Sequence, residues 1–350
     1  MPHTRVAASE VCGVEAAQLS SQTARAESEL PVAVVFPGQG SQSVGMAGKV
    51  LRIHPAAHAR YEQASALLGY DLLKLTEQGP DALLGDTEHS QPAIYTASIA
   101  WYEALRASWE AVGRDLRPVA MSGHSMGQIT ALVAAGALGF EHGLLLVRER
   151  GRIMARADRE RPGGMASIIG LRDRIVRAIV GEACTEGTLV VANDNGPGHT
   201  VVSGDESALV KVLRMAEEVG AKRAVRLPIS IASHSPLMES AQREFRAVVS
   251  SMPWRDPAVP VTSNIDARLL QTPGQIVNEL GGALCAPVEW DRVVRSMSSD
   301  GACLFVEAGP GDVLSKLVRR ISRKAWTFPL SDEEIGLARR DYPDTSGIPK

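Results

Sequence analysis

Residues 119–132 read Val119-Ala120-Met121-Ser122-Gly123-His124-Ser125-Met126-Gly127-Gln128-Ile129-Thr130-Ala131-Leu132. An apolar stretch at 118–121 runs into a turn, and a helix-forming stretch follows at 129–138. The turn fits the G-x-S-x-G pattern, in which a serine rides on a sharp strand-to-helix bend. Gly123 and Gly127 allow the bend and let strand and helix approach closely, so Ser125 is raised at the apex. The main-chain N–H groups that open the following helix point at the same spot, where an oxyanion would be held. The bare pattern recurs by chance; its strand–turn–helix setting gives it weight.

Working outward, the ordered chain opens with an apolar strand at 32–36 that enters Pro37-Gly38-Gln39-Gly40-Ser41-Gln42. A buried strand ending in a glycine-rich turn places that turn at the carboxyl edge of an α/β sheet, where ligands bind. The third glycine of a dinucleotide fingerprint is missing. Helical periods follow at 60–68 and 92–109, and a long one at 140–157 carries Arg148, Arg150, Arg152 and Arg156.

The rhythm then changes. Strand-like runs at 165–169, 188–192, 200–203 and 222–228 alternate with helical periods at 173–184 and 206–219. That order, βαββαβ, is the ferredoxin-like pattern, in a segment the size of a small inserted domain. After Pro236 the reading expects strands at 259–263 and 303–307 and a last helix at 313–322. The expected fold class is therefore α/β: an α/β-hydrolase-like large subdomain with a parallel sheet (31–160 and 232–330) and an inserted ferredoxin-like small subdomain (161–231). Flexible tails are expected at 1–30 and 331–350.

Bulk properties narrow the function classes. The 350 residues are 45% hydrophobic and 22% charged, with a formal net charge of −3. Such a chain supports a large core and offers no basic excess for nucleic acid or an anionic membrane. No apolar run reaches the roughly 18 residues that span a bilayer. Glu10, Glu15, Glu27 and Glu29 interrupt the first thirty residues, which fits neither a secretory signal nor a transit peptide. The expected location is cytoplasmic. Cys12, Cys184, Cys285 and Cys303 are widely spaced and read as reduced, mostly buried thiols. His54 and His58 have the i,i+4 spacing of a zinc motif but lack its glutamate, and no metal site is expected.

A serine nucleophile needs a base, and imidazole is the natural one near neutral pH. Among eight histidines, His234 stands out, in Ile231-Ala232-Ser233-His234-Ser235-Pro236-Leu237-Met238. It follows the last strand of the small subdomain, where the chain re-enters the large one and a side chain enters the cleft between them.

Taken together, these motifs resemble the malonyl-CoA:acyl-carrier-protein acyltransferase family over residues 32–323. The resemblance rests on Phe36-Pro-Gly-Gln-Gly-Ser-Gln42, Gly123-His-Ser-Met-Gly127, Arg148-Glu-Arg-Gly151, Ala192-Asn-Asp-Asn-Gly-Pro-Gly198, Ser233-His-Ser-Pro-Leu-Met238 and Glu307-Ala-Gly-Pro-Gly311, in that order. It implies Ser125 as nucleophile and His234 as its base, a dyad without an acidic third member. It also implies a carbonyl before Pro287-Val288, at Ala283, that orients the histidine. The oxyanion hole would be the N–H groups of Gln39 and Met126. Arg150 would hold the free carboxylate of the acyl group, with His124 and Ser233 also in the substrate site.

The implied reaction passes a malonyl-type acyl group from coenzyme A to the phosphopantetheine thiol of an acyl carrier protein, in fatty-acid or polyketide synthesis. Acyl-CoA is then a substrate, and no cofactor is permanently bound. Two basic groups, Lys316, Arg319, Arg320, Arg323 and Lys324, and Lys222, Arg223 and Arg226, are candidate surfaces for an acidic carrier. Two alternatives stand beside this reading: a transferase for a substituted malonyl unit, such as methylmalonyl, and a hydrolase that edits stalled carrier-bound chains. In modular polyketide synthases His-Ala-Phe-His goes with malonyl and Tyr-Ala-Ser-His with methylmalonyl; Ile231-Ala-Ser-His234 is nearer the second. His199, after Pro197-Gly198, departs from the glutamine usual in the family.

Overall fold

The computed structural model describes residues 31–184, 187–229 and 231–331. The expected tails at 1–30 and 331–350 lie outside these residues, apart from Ser331. Two sheets organise the chain. The larger contains β1 (Val32–Phe36), β2 (Ala120–Gly123), β7 (Val261–Thr262), β8 (Leu269–Leu270), β9 (Leu304–Glu307) and β10 (Trp326–Pro329), in the order β10-β9-β1-β2-β7-β8. All neighbours are parallel except the β7–β8 pair.

β1 shows why a continuous apolar run suits this place. Val32, Val34 and Phe36 enter one core layer, while Ala33 and Val35 enter the other. Successive side chains point to opposite faces, so a strand covered on both sides must be apolar throughout. On one face pack the helices Thr87–Glu110, Gly127–Ala134, Phe140–Glu160 and Glu239–Ser251. On the other lie Trp290–Ser299 and Val313–Ile321. Each fully buried valine, leucine or phenylalanine contributes about 1.5–3 kcal/mol, so this double layer dominates stability.

The smaller sheet comprises β3 (Gly164–Ile169), β4 (Leu189–Asp194), β5 (His199–Gly204) and β6 (Arg223–Arg226), antiparallel and ordered β4-β5-β3-β6. Ala166, Ile168 and Val202 pack on the helices Asp173–Ala183 and Glu206–Glu218. The opposite face, with Met165 and Val201, turns toward the large sheet. An isolated bridge from Asn193 to Val288 ties β4 to the large subdomain, which the sequence did not suggest.

Several sequence expectations need adjustment. The helix expected at 92–109 begins five residues earlier, at Thr87, because the Asp86 carboxylate accepts the Glu88 N–H as an N-cap and Pro92 is tolerated inside. The strand expected at 259–263 shrinks to Val261–Thr262. Helices Glu239–Ser251, Pro273–Gly282 and Trp290–Ser299 and the edge strands β8 and β10 went unread. Cys184, Cys285 and Cys303 are free and half-buried, not buried. Among the described residues, no helix is long and apolar enough to cross a membrane, and no group of three or more His, Cys, Asp or Glu is placed to hold a metal.

Glu307 closes β9 fully buried. Its carboxylate accepts the N–H groups of Leu314 at 3.0 Å and Ser315 at 2.8 Å, capping helix Val313–Ile321. Burial raises the group to about 7 against the pull of those bonds. Glu307→Ala would orphan two buried donors, so we expect a loss of about 3 kcal/mol in urea unfolding. An unchanged unfolding midpoint would show that the helix end does not depend on this carboxylate.

Candidate active site

The parallel register brings the carboxyl ends of β1, β2 and β9 to one edge: Phe36 pairs with Gly123, and Val35 with Glu307. The turns that leave these strands therefore converge there. Space around the elbow is minimal. A Cβ on Gly123 would lie 1.9 Å from the Gly127 carbonyl oxygen, and one on Gly127 2.2 Å from that of Phe36. A Cβ on Gly38 would lie 2.5 Å from the His124 oxygen, so the Pro37–Gln42 turn presses directly on the elbow.

Ser125 and His234 both adopt left-handed backbone, with φ of 54° and 59°. For residues bearing a Cβ this is strained and must be held by neighbours. Ser125 N–H donates to Asn264 Oδ1 at 2.9 Å, and His234 N–H to the Leu284 carbonyl at 2.8 Å. Between them, Ser125 Oγ lies 2.8 Å from His234 Nε2.

The other ring nitrogen, Nδ1, meets the Ala286 carbonyl at 2.9 Å. The principal orienting carbonyl is thus Ala286, three residues beyond the expected Ala283, whose own carbonyl is a weaker second influence on the ring. The reason is tertiary: Val288 exchanges main-chain hydrogen bonds with Ala192 and Asp194 across the isolated bridge, which places the segment just before it against the histidine. Burial first, and the Arg150 charge second, lower His234 to about 3. The imidazole is neutral at working pH and free to take a proton.

Arg150 comes from helix Phe140–Glu160 and is 3% exposed. Its Nη2 donates to Ser125 Oγ at 3.2 Å and its Nη1 to Gln91 Oε1 at 3.0 Å. No carboxylate pairs with it among the described residues. Burial lowers it to about 10, so it is still charged at neutral pH. Arg148, Arg152 and Arg156 on the same helix pair instead with Glu149, with Glu88 and Glu149, and with Glu160 and Glu244.

His124 Nε2 lies 2.9 Å from Asn195 Oδ1, and its ring sits edge-on to Trp290. It bridges the subdomains as well as lining the cleft. Ser233, half-buried, lines the cleft beside His234. Gln39 Nε2 donates to Thr87 Oγ1 at 2.9 Å, which holds the turn. Among the described residues, no acceptor takes the main-chain N–H of Gln39 or Met126. Met126 directly precedes helix Gly127–Ala134, where helix N–H groups have no intrahelical partner.

A cavity of about 560 Å³ between the two sheets joins these groups; Gln39, His124, Ser125, Arg150, Ser233 and His234 all line it. Residues missed from sequence support it from behind. Asn264 Nδ2 donates to Gln128 Oε1 at 3.0 Å, its N–H donates to Glu279 Oε1 at 2.7 Å, and Gln128 Nε2 donates to the Thr262 carbonyl at 2.9 Å. Asn264 lies two residues past the end of β7, so the carboxyl-edge rule applied to that strand would have found it. Gln91 was hidden by starting its helix at Pro92.

Comparison with known proteins gives the family. Residues 33–347 match the model of the acyl transferase domain. The malonyl CoA-acyl carrier protein transacylase of Escherichia coli O157:H7 is 40% identical over 293 residues, covering 83% of this chain and 92% of that protein. The corresponding transacylase of Bacillus subtilis (strain 168) is 36% identical over 304 residues, 87% and 94% of the two chains. Among solved structures, the transacylase of Coxiella burnetii superposes with a TM-score of 0.83 at 37% identity, covering 88% of this chain and 96% of that one. A malonyl-transacylase in complex with its type II PKS acyl-carrier protein gives 0.83 at 34%, covering 88% and 98%. By sequence and fold, the chain belongs to the acyl transferase domain family and, within it, to the malonyl CoA-acyl carrier protein transacylases.

Proposed function

We propose that this protein carries a malonyl group from coenzyme A to the phosphopantetheine thiol of an acyl carrier protein, by way of an ester on Ser125. One observation carries the reading most: Ser125 Oγ sits between a neutral imidazole and a buried guanidinium that no carboxylate among the described residues pairs with. A serine hydrolase without acid specificity has no use for that second group. A malonyl group supplies the missing carboxylate, and a guanidinium fork suits it.

In the first step His234 Nε2 takes the Ser125 proton as Oγ attacks the thioester carbonyl carbon. The oxyanion is held by the Gln39 and Met126 N–H groups. The imidazolium formed keeps its Nδ1–H on the Ala286 carbonyl. Collapse breaks the C–S bond, and the leaving thiolate takes the proton back from Nε2. The carrier thiol then repeats the sequence in reverse, giving up its proton to His234 and leaving Ser125 as it began. CoA enters and leaves as substrate, and no resident cofactor is needed. The reading sets the reaction in the cytoplasm, where CoA thioesters are used, and cell fractionation tests that placement.

The carrier would approach over helix Val313–Ile321, whose Leu317 lines the cavity and whose Arg319 and Arg320 are exposed. Of the other basic group, Lys222 and Arg223 are exposed, but Arg226 is engaged by Glu206 and the carbonyls of Gly163 and Met165. A substituted malonyl unit remains a second reading, because Ser233 leaves the cavity wall beside His234 small.

The test is intact mass after exposure to malonyl-, methylmalonyl- and acetyl-CoA, followed by addition of phosphopantetheinylated carrier. The expected result is a malonyl adduct that moves to the carrier; an adduct lost to water with none transferred would favour the hydrolase.

The pH dependence follows from His234. Only its neutral form accepts the serine proton, and the ring is lowered to about 3. Acylation kcat/KM, which reports the free enzyme, should therefore stay level as pH falls from 8 through 6.5 to 4. Rapid-quench acylation between pH 4 and 8 checks this. A downward bend near 6.5 would mean that the ring is solvated in solution.

A further inference from the structure

The cavity-facing side of the small sheet is apolar at Met165, Val201 and Leu227, but it carries a polar pair at Ser167 and His199. His199 opens β5 and is half-buried. Its Nε2 lies 3.2 Å from Ser167 Oγ, and its Nδ1 takes no partner among the described residues. Burial, then Arg320 and His124, lower the ring to about 4, so it is neutral at working pH. In either tautomer Nδ1 keeps one hydrogen-bonding capacity unspent: an N–H if Nε2 accepts from the serine, a lone pair if Nε2 donates to it.

The placement says what that capacity faces. The acyl carboxylate is drawn to Arg150 and Gln91, on helices of the large subdomain. The thiol half of a thioester on Ser125 must leave in another direction. The small-subdomain wall offers one, running from His124 to Asn195 and on to His199. His199 in turn feels the charge of the exposed Arg320, on the helix whose Val313, Leu314 and Leu317 line the same cavity. The arm shared by coenzyme A and the carrier is a chain with two amides, and a buried amide without a partner is costly.

We propose that His199 is a binding residue for the pantetheine arm, with its Nδ1 exchanging a hydrogen bond with an arm amide and Ser167 fixing the ring. This rests on the acyl-transfer reading above and adds to it a residue that reads the thiol half of the substrate.

The test compares malonyl-CoA with the malonyl thioester of ethanethiol, which keeps the reacting carbonyl and carboxylate but has no arm. His199→Leu should lower the ratio of kcat/KM for malonyl-CoA over the ethyl thioester about 10-fold, chiefly through KM for malonyl-CoA. KM for the phosphopantetheinylated carrier should rise by a similar factor. His199→Gln, which restores a donor and an acceptor, should recover the ratio to within about threefold, and Ser167→Ala, which frees the ring, should lower it about threefold.

An unchanged ratio in His199→Leu overturns the proposal, as does an equal loss on both substrates, which marks a structural role. If the leucine variant does not fold, the glutamine and Ser167 variants decide in the same way. Failure of the unaltered protein to form any malonyl adduct would instead sink the transfer reading itself.

Discussion

Ser125→Ala should abolish the malonyl adduct in intact-mass measurements and lower transfer to the carrier at least ~10⁴-fold. The loss is large because the hydroxyl is the covalent carrier of the acyl group, and His234 and the oxyanion donors then have no oxygen to act on. The fold should survive. The side chain loses one hydroxyl whose partners are His234 Nε2 and Arg150 Nη2, while the main-chain bond to Asn264 that holds the left-handed turn remains. Circular dichroism and thermal unfolding close to those of the unaltered protein, with no adduct, are expected together. A persistent adduct in the alanine variant would place the ester elsewhere and remove Ser125 from the chemistry.

Arg150→Ala should produce the second largest change, and it should be selective. Truncating one side of a buried, charge-assisted contact costs about 3 kcal/mol, a factor of about 150 in kcat/KM for malonyl-CoA. Acetyl-CoA has no carboxylate to lose, and in the unaltered protein its binding leaves the guanidinium buried without an anion. The variant removes that penalty, so acetyl adduct formation should rise as malonyl adduct formation falls. The preference between the two CoA esters, measured in competition, is therefore the informative quantity. If it does not move, Arg150 serves only to hold Gln91 and Ser125 in place.

Much of the fold was legible because its strongest signals are local. β1 is apolar at every position since it is covered on both faces, and the four strands and two helices of the small subdomain alternate with short turns between them. What went unread has equally physical causes. Strand β8 is two residues long, too short for a period to show, and β7, expected over five residues, keeps only two. Helix Thr87–Glu110 carries a proline in its second turn, and local rules favour proline at a helix start, so the reading opened the helix there; packing of the preceding turn overrides them.

The site divides along the same line. Ser125 and His234 could be named from motif and local setting, and Arg150 from the family resemblance, because each needs a particular side chain at its place. Asn264, Gln91 and the Ala286 carbonyl could not, because each is defined by what lies opposite it across the molecule. Ala286 is the sharpest case: a carbonyl has no sequence signature, and the bridge between Asn193 and Val288 selects which one meets the imidazole.

By itself, then, the order of residues indicated the two-sheet plan, the serine on its elbow and the histidine at the crossover, while the family resemblance singled out the arginine 25 positions beyond the serine. The first three follow from periodicity, glycine placement and residue chemistry, which act over a few positions along the chain. Only the tertiary structure decided that, among the described residues, no carboxylate pairs with Arg150 and no group takes His199 Nδ1, and that His234 is buried enough to stay neutral. Burial and the absence of a partner depend on every neighbour in space, and elements far apart in the chain supply those neighbours.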